Sequence, residues 1–153
     1  MKYEVPTSEG VFMAEMHENR LLSLHFPSGK SDGPKSVGPA VRRLRHELEE
    51  YLRGERKKFT VPVEPSQGTE FQRKVWRAMR QIPFGKTKSY GELAREIGSP
   101  KASRAVGAAC GQNPIPILVP CHRVLARNQK LGGFSGGLHW KKRLLALEGI
   151  SIN

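Results

Sequence analysis

Three prolines in seven residues, Pro114, Pro116 and Pro120, lead into a cysteine followed at once by a histidine and an arginine: Pro120-Cys121-His122-Arg123. Proline fixes φ and lacks a backbone donor, so residues 113–124 cannot be helical and read as a stiffened, extended segment that delivers Cys121. A thiol flanked by two basic side chains sits where the thiolate, the attacking form, is favoured. That points to a cysteine nucleophile. The competing reading is a buried structural cysteine, the commoner fate of this residue type. Neighbouring side chains of an extended chain point to opposite sides, so proton exchange between Cys121 and His122 requires a local turn or a bridging water. A zinc site is not predicted, because only His17, His25, His46 and His139 remain as further ligands and none has ligand spacing with Cys121. Downstream, Leu131-Gly132-Gly133-Phe134-Ser135-Gly136-Gly137 offers close backbone approach to a flat ligand. It lacks the Gly-Lys-Ser/Thr ending of a phosphate-binding loop.

The elements that must hold these residues are legible upstream. Thr69 with Gln72 has capping-box spacing, and Phe71, Val75, Trp76, Met79 and Ile82 recur on one helical face before Pro83 and Gly85. Ser89 with Glu92 forms a second capping box, opening a short helix that buries Leu93, Ala94 and Ile97 and stops at Gly98. Ser99, with Pro100 at the first helical position, is expected to cap a third helix running to Cys110 or Gly111. Two short helices about a Gly98-Ser99 turn make a helix-turn-helix. Its second helix carries small residues and one long side chain after Lys101, namely Arg104. Such a helix brings its backbone close to DNA and inserts one cation rather than reading bases. Ala105 and Ala109 are expected on its packing side. The last helix holds Trp140, Leu144, Leu145 and Leu147 and ends at Glu148-Gly149.

The first part of the chain reads as a small α+β unit. Val11–Ala14 and Leu21–Phe26, separated by a polar Glu15–Arg20 stretch, predict a β-hairpin. A Gly/Ser/Pro/Lys loop over 28–39 follows, then Val41, Leu44, Leu48 and Leu52 at helical spacing, closed by Gly54. Arg56-Lys57-Lys58 reads as solvated surface. Turn formers at 63–68 mark a boundary, giving an N-terminal domain over 1–64 and a second domain over 65–153. The expected fold class is α+β: a small antiparallel-sheet domain, then a mainly helical, winged-helix-like domain with the helix-turn-helix.

Charge follows the same division. The 153 residues carry a net +12, with eleven Lys/Arg against ten Asp/Glu over 1–64, and fifteen against four over 65–153. Almost all the excess lies in the second part, which predicts a polyanionic partner there. Two cysteines do not imply a disulfide framework and exclude a four-cysteine zinc site, and no apolar run is long enough for a membrane span or a secretory signal. A cytoplasmic location, or a nuclear one in a eukaryote, is expected.

Asn113-Pro114-Ile115-Pro116, Pro120-Cys121-His122-Arg123-Val124 and Phe134-Ser135-Gly136-Gly137 together resemble the O6-alkylguanine-DNA alkyltransferases, in near-continuous register over 69–149. The resemblance implies single-use DNA repair: the alkyl group passes from guanine O6, and from thymine O4 as a second substrate, to Cys121 as a stable thioether. It implies that His122, through a water, and Glu148 relay the thiol proton, that Asn113 braces the turn, and that Tyr90 protonates the departing guanine. Backbone near Val124, with Phe134, Ser135 and Gly136, would hold the base. Arg104 would fill the gap left by the flipped nucleotide, with Ala102, Ser103 and Gly107 along the minor groove and Arg123 among the DNA contacts. No cofactor, a monomer, duplex DNA as partner and no membrane are implied. Phe134 stands where many relatives carry Tyr, and Cys110 where a larger apolar residue is common. Competing readings are a non-enzymatic lesion binder of the same fold, which Cys121 argues against, a helix-turn-helix transcription factor, and a cysteine hydrolase.

Overall fold

The computed structural model describes residues 2–28, 38–65, 67–126 and 137–151. The chain divides into two compact units, residues 1–66 and 67–153. The secondary structure is mixed α+β, and no helix among the described residues is long and apolar enough to cross a membrane.

The first unit is a three-stranded antiparallel sheet, β1 (Lys2–Thr7), β2 (Gly10–His17) and β3 (Arg20–His25), in that order, with α1 (Pro39–Leu52) after it. The predicted hairpin is β2–β3, but both strands run further into the polar stretch than the composition suggests. Met16 continues the period-2 burial of Phe12 and Ala14, so Glu15 and His17 face outward and the turn shrinks to Glu18-Asn19, with Glu18 at φ 57°. Strand β1 escapes sequence reading because Pro6 interrupts it; as an edge strand it tolerates a residue without a donor. On the far edge, Leu21 pairs with Pro62 and Glu64 through two 2.9 Å backbone bonds, which covers part of β3. Val5, Phe12, Leu21 and Leu24 are buried with Leu44, Leu48 and Tyr51 of α1. Arg56 is not simply solvated: it lies 2.8 Å from Glu50 and 3.7 Å from the buried Glu47, whose carboxylate caps the Thr60 and Val61 amides.

The second unit opens with α2 (Glu70–Arg80), which has both halves of the Thr69/Gln72 capping box. Gly68 before it is obligatory, since at φ 141° an added Cβ would lie 2.5 Å from the Trp76 ring. Trp76 donates Nε1–H to the Ala109 carbonyl at 2.8 Å, fixing α2 to α4 (Ser103–Gly111). Between them, α3 (Tyr90–Glu96) starts at the Ser89/Glu92 capping box. It ends in a Schellman turn, with Gly98 N bonded to Arg95 O and Ser99 N to Ala94 O.

That Schellman turn corrects the predicted start of the next helix. The Ser99 amide is used to close α3 and its carbonyl accepts from Ala102 N, so Pro100 and Lys101 lie in a turn and Ala102 is the N-cap. On α4, Val106, Ala109 and Cys110 are buried, whereas Ala105 is exposed, contrary to its expected packing role. The prolyl segment is also not extended. Backbone bonds Val119 N to Ile115 O and Leu118 N to Pro116 O, with Ile117 at φ 75°, fold it into consecutive turns. Cys121–Arg123 is a single 3-10 turn leading into β5 (Val124–Leu125), and α5 spans Leu138–Leu147.

Candidate active site

Two prolyl turns and one amide shape the backbone at Cys121. Asn113, itself buried, donates Nδ2–H to Val119 O at 2.8 Å and accepts from Ile115 N at 3.0 Å, bracing the loop that enters the 3-10 turn. Cys121 N then bonds Val119 O, and Arg123 N bonds Pro120 O. The result presents Cys121 with its side chain enclosed, only 3% exposed.

Enclosure reverses one expectation drawn from neighbouring residues. Burial pushes the Cys121 thiol up to about 11, although a hydrogen bond from Asn113 and the charge of Lys141 pull the other way. The resting group is therefore a thiol, and the basic residues beside it in sequence do not supply the compensation. His122 is fully buried and held neutral, its basicity lowered by desolvation against the opposing influence of Glu148. Arg123 is neutralised by a carboxylate.

That carboxylate is Glu148, the C-cap of α5. Burial alone would raise its pKa, but His122 and Arg123 outweigh it and bring the group to about 2. His122 Nε2 lies 2.7 Å from Glu148 Oε2; since the carboxylate is ionised, Nε2 carries the hydrogen and Nδ1 holds the basic lone pair. Arg123 donates Nε–H to Oε1 at 2.9 Å and Nη2–H to Oε2 at 3.0 Å, and the Gly85 amide donates to Oε1 at 2.9 Å. The third nitrogen of Arg123, Nη1, donates to Ile82 O at 2.6 Å. The expected DNA-contact role of Arg123 is thus corrected: its guanidinium is turned inward, 9% exposed, with all three nitrogens donating to Glu148 or Ile82, and it holds Glu148 against the imidazole.

Lys141 was not foreseen. It is 1% exposed on α5 and donates Nζ–H to the Val124 carbonyl at 2.9 Å. Burial draws its pKa down, with the two thiols opposing. A signal existed, because Lys141, Leu144, Leu145 and Glu148 lie at i, i+3, i+4 and i+7, on one helical face. Cys110 lies near the same group, its thiol pushed by burial to about 12 and its Sγ 3.5 Å from Met79 Sδ, which makes it a packed core residue.

The DNA-facing candidates meet elsewhere in the same unit. A cleft of about 970 Å³ is lined by Ser89, Tyr90, Arg95, Ser103, Arg104 and Gly107, among others. Gly107 faces the Tyr90 ring, which would lie in ordinary contact, 3.7 Å, with an added Cβ. Arg104 is exposed; Ala102, half-buried at the N-cap of α4, is not part of the lining. Arg95 joins the cleft without having been singled out from the sequence. The cleft is coupled to the thiol by a two-residue parallel ladder, Lys88 with Val124 and Ser89 with Leu125. It joins the residue preceding Tyr90 to the strand that follows the Cys121 turn, and Val124 itself is fully buried. Phe134, Ser135 and Gly136 lie outside the described residues, and no group of three metal-ligating side chains occurs among the described ones.

Residues 70–150 match the family model described as 6-O-methylguanine DNA methyltransferase, DNA binding domain. Over 108 residues the chain is 55% identical to a methylated-DNA–protein-cysteine methyltransferase of Methanosarcina acetivorans, covering 71% of this chain and 69% of that protein. It is 49% identical over 121 residues to the enzyme of the same description from Mycolicibacterium paratuberculosis, covering 79% and 70%. The crystal structure of Mycobacterium tuberculosis OGT in complex with DNA aligns with a TM-score of 0.84 at 39% identity, covering 96% of this chain and 91% of that one. A buried cysteine beside a histidine–carboxylate pair, coupled by a short ladder to a basic helix-turn-helix, is thus found in a chain that belongs to the 6-O-methylguanine DNA methyltransferase family.

Proposed function

We propose that this chain repairs DNA by moving an alkyl group from O6 of guanine, and from O4 of thymine, onto Cys121 Sγ. The observation that carries the reading is the Cys121 thiol at a turn shared with His122 and backed by Glu148, joined through the Lys88–Val124 and Ser89–Leu125 ladder to the Tyr90 and Arg104 cleft. The thiol proton leaves for the relay headed by His122 Nδ1, through a water, and the imidazolium that forms is balanced by the ionised Glu148. Sγ then bonds to the alkyl carbon as the carbon–O6 bond breaks. Tyr90 supplies a proton to the departing guanine, and the thioether remains on the protein. One chain serves once.

Reaching O6 requires the nucleotide to leave the stack, which costs a few kcal/mol and least for a poorly paired base. Arg104, exposed on α4, enters from the minor groove and fills the gap, while Ser103 and Gly107 let the helix lie close to the backbone. The chain works as a monomer on duplex DNA, in the cytoplasm, or in the nucleus of a eukaryote.

The test is intact-protein mass after incubation with an O6-methylguanine duplex, followed by peptide mapping. One methyl group on the peptide holding Cys121 is expected. Cys121→Ala should remain unmodified yet still retain the lesion duplex. Methylation of Cys110 in that variant overturns the assignment.

A further inference from the structure

The solvent face of α2 carries Lys74, Arg77 and Arg80, all exposed and spaced by three residues. Residues at this spacing form a ridge along one side of a helix. The opposite side holds the buried Val75, Trp76 and Met79, and it is there that α2 meets α4, through Trp76 and the Ala109 carbonyl. The cationic ridge therefore faces away from the helix that lines the Arg104 cleft, and α2 contributes no residue to that cleft.

The charge on this ridge is not offset locally. The second unit has four carboxylates, Glu70, Glu92, Glu96 and Glu148. Glu148 is buried against His122 and Arg123, Glu96 pairs with Lys88, and Glu92 completes the α3 capping box. Only Glu70 remains, in the first turn of α2, and none of the three cations is ion-paired with another described residue. Lys74 and Arg80 are about 9 Å apart along the helix axis, over which one strand of a duplex presents two to three phosphates.

We propose that this ridge is a second DNA-contact surface, which takes the phosphate backbone of a duplex segment other than the one held in the Arg104 cleft. It rests on the repair reading above and adds to it a bridging capacity. A molecule seated on one duplex holds a neighbouring or crossing one through α2, by charge alone and without base readout.

The experiment compares the wild-type chain with the triple variant Lys74→Gln/Arg77→Gln/Arg80→Gln, each loaded on a bead-bound short lesion duplex and challenged with a second, fluorescent duplex. The wild type is expected to retain the second duplex, with retention falling about twenty-fold between 50 and 200 mM salt, as two to three phosphate contacts dictate. The variant should lose retention while reacting at the wild-type rate with the free base O6-benzylguanine and with the short lesion duplex. Equal retention by both proteins overturns the proposal, and so does an equal loss of affinity for the short duplex, which would place the cations at the first site. Failure of the wild type to react with the lesion duplex would overturn the repair reading instead.

Discussion

At the level of single residues, the arrangement separates two tasks that the sequence places side by side. Cys121 and His122 are adjacent in the chain, but the thiol's acidity is governed by burial, Asn113 and Lys141. With Arg123 paired to Glu148, Lys141 is the cation that acts on the thiol. Lys141→Met preserves length and apolar bulk but removes the charge. The expected outcome is a pH–rate profile for O6-benzylguanine transfer displaced to higher pH and a rate at neutral pH lower by about tenfold. Lys141→Arg should restore part of it. Equal slowing at every pH would instead indicate that the lysine only braces the Val124 carbonyl.

Among the elements, the pairing of β4 (Lys88–Ser89) with β5 is small but decisive, because it ties the start of α3 to the strand leaving the Cys121 turn. Both capping boxes were readable because their spacing is local and their partners lie within one turn. The start of α4 was not, since Ser99 and Pro100 form a standard helix opening in isolation. Only the Schellman closure of α3, which uses the Ser99 amide, decides that the helix begins at Ser103. Strand β1 was hidden for a related reason: Pro6 is disfavoured in a strand unless that strand is at an edge, and the edge is a property of the sheet. Arg104, on the exposed side of α4, should act through the nucleotide it displaces. Arg104→Ala is expected to slow single-turnover transfer from duplex far more than transfer to O6-benzylguanine, which needs no flipping. Arg104→Lys should rescue only partly, lacking a planar stacking surface. Equal losses on both substrates would assign Arg104 to the integrity of the cleft.

For the whole molecule, charge is unevenly distributed, with almost all of the net excess in the second unit. Both tryptophans, Trp76 and Trp140, belong to the second unit, so their fluorescence follows the unfolding of that unit alone. Glu148 is held at about 2 against an ordinary 4.5, so the unfolded chain binds its proton first as pH falls. The stabilisation is complete above about 4.5 and lost as pH drops toward 2, an effect on the order of 3 kcal/mol. His122, kept neutral by burial, adds to the loss below its ordinary value of 6.5, because the unfolded imidazole protonates more readily. Glu148→Gln should flatten the urea-unfolding free energy between pH 4.5 and 2. At neutral pH it should cost roughly 3–5 kcal/mol by stranding Arg123, in addition to slowing transfer. An unchanged acid slope would show that Glu148 does not dominate.

The sequence by itself determined the candidate cysteine, the basic residues that follow it, the helix-turn-helix and the half of the chain that carries the positive charge. Each of these is encoded by neighbours in the chain: proline spacing, capping pairs, helical periodicity and local composition. Tertiary structure decided what those groups are chemically. It turned Arg123 inward onto Glu148, brought Lys141 out of a run of basic residues into the interior, and folded the prolyl segment into turns. The physical reason is that pKa and ion pairing depend on solvent exclusion and on partners distant in sequence, such as Glu148 against His122. No pattern of adjacent residues fixes either quantity.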